Sequence, residues 1–310
     1  MERSEPDHSY PASQEPLLAL EARIHAILPP RYVGCFEEVS PASMGSAELK
    51  YDAQGRVAWG AIWTTFCHLA LAGGPPHRGR LLEPVSVAEA EASPGEQAQV
   101  VAEIERALLL TTELPVSPSP RPGWVGIRCH DDDMAGWLVR AIVAENVIAR
   151  RQQEVLFVPA GPAFRVEQEI KNVVVSVAKA CHYLLDHVEP DQRPSGLAGR
   201  LVEPPLPSEV LASPGKYLKA ARELEQCIRR DTGLNTILGQ TQGWIGVDCS
   251  SEEMAVWMLR AVVVEDILAR CEGNRLCVPI DMSDSPLQPI AKTADAVAQA
   301  YRLWKLHAAR

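Results

Sequence analysis

The strongest constraint on the fold is a segment that occurs twice. The run Arg80–Pro84 (RLLEP) is matched by Arg200–Pro204 (RLVEP), which sets an offset of 120 residues. The same offset, with no gap, aligns Gly123–Ile127 (GWVGI) with Gly243–Val247 (GWIGV). Because equal patterns make equal structural demands, we expect the two segments to share one fold.

The repeat divides the chain into parts. A run in the N-terminal region, Phe66–Leu69 (FCHL), resembles Ala180–Tyr183 (ACHY), so a shorter copy is predicted before the two full ones. The predicted parts are a disordered N-terminal tail (1–16), a truncated half-repeat that ends in a His/Arg loop (17–79), repeat unit 1 (80–199) and repeat unit 2 (200–310).

Each unit is predicted to contain three helices and two strands. Ser93-Pro94-Gly95 is typical of a helix start, because Pro is favoured at the first helical position. The helix that follows the first strand is apolar nearly all round, which predicts burial. In unit 1 the predicted order is a helix from Ser93 to about Thr112, a strand Trp124–Cys129, a buried helix Asp131–Arg151, a strand Val155–Val158 and an amphipathic helix Arg165–His187.

We therefore predict a helix-rich α/β fold in which a tandem duplication of a helix-strand-helix-strand-helix unit packs as a pseudo-symmetric pair. A strand, helix, strand succession favours parallel pairing through a right-handed crossover. Arg140 and Glu145 are charges within a helix that is otherwise buried, and Arg260 and Glu265 repeat them. Either Arg140 pairs with Glu265 and Arg260 with Glu145 across the pseudo-two-fold axis, or these groups line a cleft between the units.

Composition excludes some classes of partner. The net charge of −10 argues against a nucleic-acid backbone or an anionic membrane, since both require a basic surface. No apolar run reaches the length of a membrane span, and residues 1–16 lack the pattern of a secretory signal. Eight scattered cysteines without C-x-x-C pairs indicate reduced thiols, so a cytoplasmic location is expected.

Acidic residues before the buried helices are interpreted as caps. The chain lacks the common nucleotide, zinc-protease and hydrolase motifs. Asp131-Asp132-Asp133 precedes the buried helix of unit 1, where carboxylates satisfy free N–H groups and complement the helix dipole. Ser250-Ser251-Glu252-Glu253 occupies the same place in unit 2 and is typical of a capping box.

Two candidate catalytic residues are Cys129 and His77. Cys129 ends a strand at a helix N-terminus, a position that can lower the pKa of a thiol; alternatively it fills a tight turn. His77 and Arg78 lie in the loop Gly73–Arg80, whose glycines permit close approach of a ligand. Arg78 suits a carboxylate or phosphate and His77 can move protons, unless the loop is a simple linker.

The last helix of unit 1 supplies three candidate substrate-binding residues, Lys171, Lys179 and His182. Unit 2 has Gln299 in place of Lys179 and Arg302 in place of His182, which favours a site in unit 1. The alternative is a solvated helix face. Three Cys-His dipeptides, at Cys67, Cys129 and Cys181, raise the option of a metal or tetrapyrrole site, but adjacent helical residues point about 100° apart, and we assign no metal ligand and no cofactor.

Two functions follow from these patterns. The first is an enzyme or binding protein for a small anionic metabolite, with its site where the Gly73–Arg80 loop meets unit 1. The alternative is a non-catalytic scaffold or assembly factor that binds a protein partner through its paired helices. Neither involves nucleic acid or a membrane, and both are compatible with a homo-oligomer.

Overall fold

The computed structural model describes residues 15–27, 49–62, 80–186, 188–238, 241–282 and 289–310. His77 and Arg78, with most of the Gly73–Arg80 loop, lie outside these residues. The α-helices are α1 (Glu15–Ile27), α2 (Val87–Ala92), α3 (Pro94–Thr112), α4 (Asp132–Ala144), α5 (Lys171–Asp186, preceded by a π-helical turn, Val166–Ile170), α6 (Pro207–Ala212), α7 (Pro214–Thr232), α8 (Glu252–Val263) and α9 (Pro289–His307).

The strands form two separate four-stranded antiparallel sheets. The first sheet has the order β1-β2-β4-β3 and the second has the order β5-β6-β8-β7. The strands are β1 (Val116–Ser117), β2 (Trp124–Arg128), β3 (Arg150–Gln152), β4 (Val155–Pro159), β5 (Thr236–Leu238), β6 (Trp244–Asp248), β7 (Arg270–Glu272) and β8 (Arg275–Pro279).

The predicted parallel pairing is wrong. The strands β2 and β4 pair antiparallel, with Trp124 opposite Pro159 and Arg128 opposite Val155. The reason is strand β3, which sequence analysis had placed in the buried helix. It turns back through a tight hairpin, where Gln153 has a φ of 53°, and the hairpin reverses the chain before β4 enters the sheet beside β2.

The helices predicted from local sequence signals agree better with the structure than the predicted strand pairing does. Helix α3 begins at Pro94 and ends at Thr112, as predicted. Asp131 caps α4 by accepting a hydrogen bond from the backbone N–H of Met134 at 2.7 Å, and every residue from Met134 to Ala144 is buried. The helix nevertheless ends at Ala144, well before the predicted Arg151. In the second half the cap of α8 is Ser251, whose hydroxyl accepts from Met254 N at 3.1 Å.

Corresponding elements in the first half (residues 80–199) and the second half (residues 200–310) have the same register. Trp244 lies opposite Pro279 in the second sheet, as Trp124 does opposite Pro159 in the first. Isolated parallel bridges join Leu82 to Val147 and Val202 to Ile267, again at an offset of 120. In each half the buried helix, α4 or α8, packs against its own sheet and against the long helix that follows, α5 or α9.

Polar contacts join the two halves. The fully buried Arg140 donates from Nη2 to Asp266 Oδ1 at 2.6 Å. Asn146 donates to the carbonyl of Cys271 at 2.9 Å and accepts from Arg270 at 3.2 Å. The predicted pairing of Arg140 with Glu265 is therefore wrong by one residue, because α8 ends at Val263 and the left-handed φ of 58° at Asp266 redirects the chain after the helix. The pairing of Arg260 with Glu145 stays a prediction.

Helix α1 packs against the second half. Its apolar residues Leu17, Leu20 and Ile24 are buried, and it contacts α8 and α9. Arg23 donates to Glu265 at 2.7 Å, and Glu21 contacts His307 at 2.9 Å. No helix within the described residues is both long enough and apolar enough to cross a membrane.

Candidate functional site

The main candidate site is a cleft of about 510 Å³ between the two halves, which we call the arginine cleft. Three cationic residues of the first half line it, Arg121, Arg150 and Arg151. Trp124 and Phe157 contribute aromatic surface. Glu203, Leu206 and Glu209 line it from the second half.

Strand β3 positions two of the arginines. It is the edge strand of the first sheet among the described residues and pairs with β4, so that Arg150 lies opposite Phe157 and Arg151 opposite Leu156. Arg150 donates from Nη1 to Glu203 Oε2 at 2.8 Å and from Nη2 to the carbonyl of Pro204. Its Nε is buried without a hydrogen-bond partner among the described residues. Because this atom is buried, a ligand would meet the Nη groups of Arg150 and not its Nε.

The charges in the arginine cleft do not cancel. Arg150 is neutralised by Glu203, and Glu209 is engaged at the start of α6, where its Oε2 accepts from Leu206 N at 2.6 Å. Arg151 donates to the backbone carbonyls of Ala198 and Gly199, which carry no formal charge. Arg121 makes no ion pair with any residue in the described part of the chain. The lining holds three arginines and two glutamates, so one net positive charge remains. Arg121 and Arg151 have no bonded carboxylate among the described residues with which an anion would have to compete.

Burial shifts the ionisation of the central pair. Burial raises the pKa of Glu203, and the positive charges of Arg150 and Arg151 reduce this increase. Burial lowers the pKa of Arg150, and the negative charge of Glu203 reduces this decrease. Both directions mean that desolvation outweighs the attraction between the two groups. The pair is partly buried, with 20% of the Arg150 side chain and 24% of the Glu203 side chain exposed, so water screens a charge beside it less than on an open surface.

A second compartment of about 470 Å³ adjoins the arginine cleft and shares Arg150, Glu203 and Glu209 with it. Arg200 and Lys216 add positive charge to this compartment. Arg200 lies 4.0 Å from Asp281, which also lines it. The two compartments therefore meet at the ion pair between Arg150 and Glu203.

The arginine cleft is specific to the first half. At an offset of 120, Arg121 corresponds to Thr241, Arg151 to Cys271 and Phe157 to Cys277. Arginine is retained only at position 270, the counterpart of Arg150, where the side chain is 1% exposed against 20% for Arg150. These residues were not predicted because the predicted helix included Arg150 and Arg151. The available signal was that positions 241 and 271 of the second half carry no arginine.

Cys129 does not lie in the arginine cleft. Burial, assisted by the nearby Asp131, raises the pKa of its thiol to about 12. Its neighbour Cys181 is also buried, with a thiol pKa well above the ordinary value. A protonated, inaccessible thiol is a poor nucleophile, so this environment favours the alternative in which Cys129 fills the turn between strand and helix. The catalytic role stays a prediction.

Lys171 and Lys179 are not on a solvated helix face, contrary to that interpretation. Both side chains are buried. Lys179 donates to Glu145 Oε1 at 3.0 Å, and each of these two side chains is 7% exposed. Burial lowers the pKa of Lys171. Neither lysine lines the arginine cleft, so the structure does not bring them together with the three arginines.

His182 lines a separate pocket of about 430 Å³ beside the C-terminal ends of α3 and α5. Its Nδ1 lies 2.6 Å from Asp186 Oδ2. Within the described residues no group of three or more His, Cys, Asp or Glu side chains is arranged to hold a metal ion. No protein-family model matches the chain, and no curated protein shows significant sequence similarity to it.

Proposed function

We propose that this protein binds a small anionic molecule in the arginine cleft. The observation that carries the proposal is that Arg121 and Arg151 face one cavity without a carboxylate partner in the described part of the chain. Guanidinium groups bind carboxylates and phosphates through paired hydrogen bonds. The ligand class is the one that the sequence predicted, a small anionic molecule. We propose that it binds between the two halves and not where the Gly73–Arg80 loop meets unit 1.

The lining of the arginine cleft supports binding more directly than turnover. The side chains that line it include no cysteine, histidine or lysine among the described residues. The polar groups it offers are the guanidinium donors, two glutamates, Ser119 and Gln152, and it also presents aromatic rings. The proposed activity is therefore ligand binding.

The proposal also includes the duplicated architecture. We infer that residues 80–199 and 200–310 are copies of one unit packed as a pseudo-symmetric pair. The matched sheet registers and the two parallel bridges at an offset of 120 support this inference. One copy would then have kept a structural role while the other acquired the arginines. The six described cysteines are free thiols, which supports the cytoplasmic setting that we propose.

Ligand-dependent thermal stability tests the proposed function. A ligand that binds only the folded state raises the melting temperature by roughly 2 to 4 °C per kcal/mol of stabilisation in a chain of this size. We expect at least one compound from a panel of small carboxylates and phosphates to stabilise the wild type. The variant Arg121→Thr, which introduces the residue of the second half, should lose that effect.

A matched control is Arg222→Gln, which removes an exposed arginine on α7 that lines neither the arginine cleft nor the adjoining compartment. This variant should respond to the panel like the wild type. A wild type that responds to no compound, or an Arg121→Thr variant that responds as strongly as the control, contradicts the proposal.

The scaffold alternative is favoured by a different observation. Leu109 and Leu110 near the end of α3 and Leu211 in α6 are exposed by 49% or more. Exposed apolar side chains of this kind occur at protein interfaces. A native mass spectrum of freshly purified protein separates the two functions, because a bound small anion supports the first and a protein partner of fixed stoichiometry supports the second.

A further inference from the structure

The tryptophans that begin strands β2 and β6 have different surroundings. Arg270 lies over the ring of Trp244, with its guanidinium carbon 5.0 Å from the ring centroid. The counterpart of Arg270 is Arg150, which instead donates to Glu203 and Pro204. No cation lies over Trp124 in the described part of the chain. Trp124 lines the arginine cleft and is 9% exposed, whereas Trp244 is 1% exposed and is covered by Arg270.

A second ring lies beside Trp124. Phe157 on β4 is opposite Arg150 on one side and Gly126 on the other. A Cβ atom at Gly126 would lie 2.4 Å from the backbone oxygen of Ser117 and 3.3 Å from Cε1 of Phe157, so the glycine is required by the neighbouring strand and also leaves room for the ring. The second half has the buried Cys277 at this position. The aromatic surface and the unpaired arginines are thus found together in the first half and are both absent from the second.

We infer that the ligand is a planar aromatic compound that carries an anionic group. The inference rests on the proposed function and narrows it to one chemical class. The flat ring would lie against Trp124 and Phe157, since aromatic rings favour offset or edge contacts with one another. The anionic group would accept hydrogen bonds from Arg121 and Arg151. The cleft volume of about 510 Å³ accommodates a two-ring compound.

Two probes of equal charge and similar size test the inference. They are 2-naphthoate, which is planar and aromatic, and decahydro-2-naphthoate, which is saturated. We expect isothermal titration calorimetry to show that 2-naphthoate binds the wild type about five- to tenfold more tightly, because only it gains the aromatic contacts. A cleft that selects for apolar surface alone would prefer the saturated compound, which is the more hydrophobic of the two.

Single substitutions show which residues cause the preference for the aromatic probe. Phe157→Leu keeps an apolar side chain but removes the ring, so the ratio of the two affinities should approach one. Phe157→Cys introduces the residue of the second half and should give the same result if the leucine variant does not fold. Arg121→Thr should weaken both probes by a similar factor and leave the ratio unchanged.

The outcomes separate the inference from the proposed function. Equal binding of the two probes, or tighter binding of the saturated one, overturns the aromatic ligand class but leaves an anion site in place. Failure of both probes to bind the wild type also overturns the inference, and a wild type that no carboxylate or phosphate stabilises then overturns the proposed function as well.

Discussion

Arg150 and Arg270 occupy equivalent positions 120 residues apart, and their guanidinium groups have different partners. Arg270 is buried over Trp244 and pairs with Glu272 at 2.7 Å, within its own strand. Arg150 reaches across to the other half and pairs with Glu203 at 2.8 Å. The second half therefore uses its arginine inside the fold, where it also donates to Asn146 of the first half, while the first half presents its arginine at a cleft that also holds Arg121 and Arg151.

The contact between Arg140 and Asp266 should stabilise the arrangement of the two halves. Asp266→Asn removes the charge but retains an oxygen acceptor, and asparagine already adopts the same left-handed φ at the equivalent Asn146. Because Asp266 is 45% exposed, water screens the pair, and we expect the free energy of unfolding to fall by about 1 to 2 kcal/mol. Urea denaturation of the wild type and the variant measures this change in the free energy of unfolding. The exposed Asp295→Asn serves as a control, and equal stability of the two variants would contradict the assignment.

The buried pair formed by Lys179 and Glu145 should show strong coupling. Glu145→Gln leaves the lysine without its carboxylate partner, which should cost about 3 kcal/mol. Lys179→Gln introduces the residue found at position 299. The double variant should be more stable than the sum of the single effects predicts, since neither charge then remains buried. A double-mutant cycle by urea denaturation measures this coupling, and strictly additive effects would show that the two groups do not interact.

The described thiols should differ widely in reactivity. Cys227 is partly exposed, whereas Cys129 is buried with a thiol pKa of about 12. At pH 8 we expect iodoacetamide to alkylate Cys227 at least about tenfold faster than Cys129. Mass spectrometry of peptides after timed labelling measures both rates. Cys249, with a thiol pKa of about 11, should also react slowly. Rapid alkylation of Cys129 would restore its predicted role as a nucleophile.

The raised pKa of Glu203 predicts a pH-dependent stability. Because burial places the folded-state pKa above the unfolded one, the stabilising contribution of this group is complete below the unfolded pKa and is lost as the pH rises through the folded pKa. The free energy of unfolding of the wild type, relative to Glu203→Gln, should therefore decrease from about pH 4 upward. Urea denaturation of the wild type and of Glu203→Gln at a series of pH values measures this difference in the free energy of unfolding. A relative stability that increases with pH would contradict the burial of this carboxyl group.

The sequence predicted what depends on local signals. Helix α3, the cap at Asp131 and the strand β4 follow from capping, proline placement and apolar runs, which act over a few residues. The sheet topology was missed because the short strand Arg150–Gln152 carries no apolar pattern and follows directly on the buried segment that ends at Ala149. The arginine cleft could not be predicted, since Arg121 and Arg151 approach Glu203 and Glu209 only through packing of the two halves.

The indole N–H resonances of the tryptophans test the central claim most directly. The chain contains seven tryptophans, and the resonances of Trp124 and Trp244 can be assigned with the Trp124→Phe and Trp244→Phe variants. In an NMR titration with 2-naphthoate, the Trp124 resonance should shift in a saturable manner while that of Trp244, covered by Arg270, stays in place. Equal shifts of both resonances, or no shift of Trp124 at saturation, would contradict the binding of an aromatic anion against Trp124 in the arginine cleft.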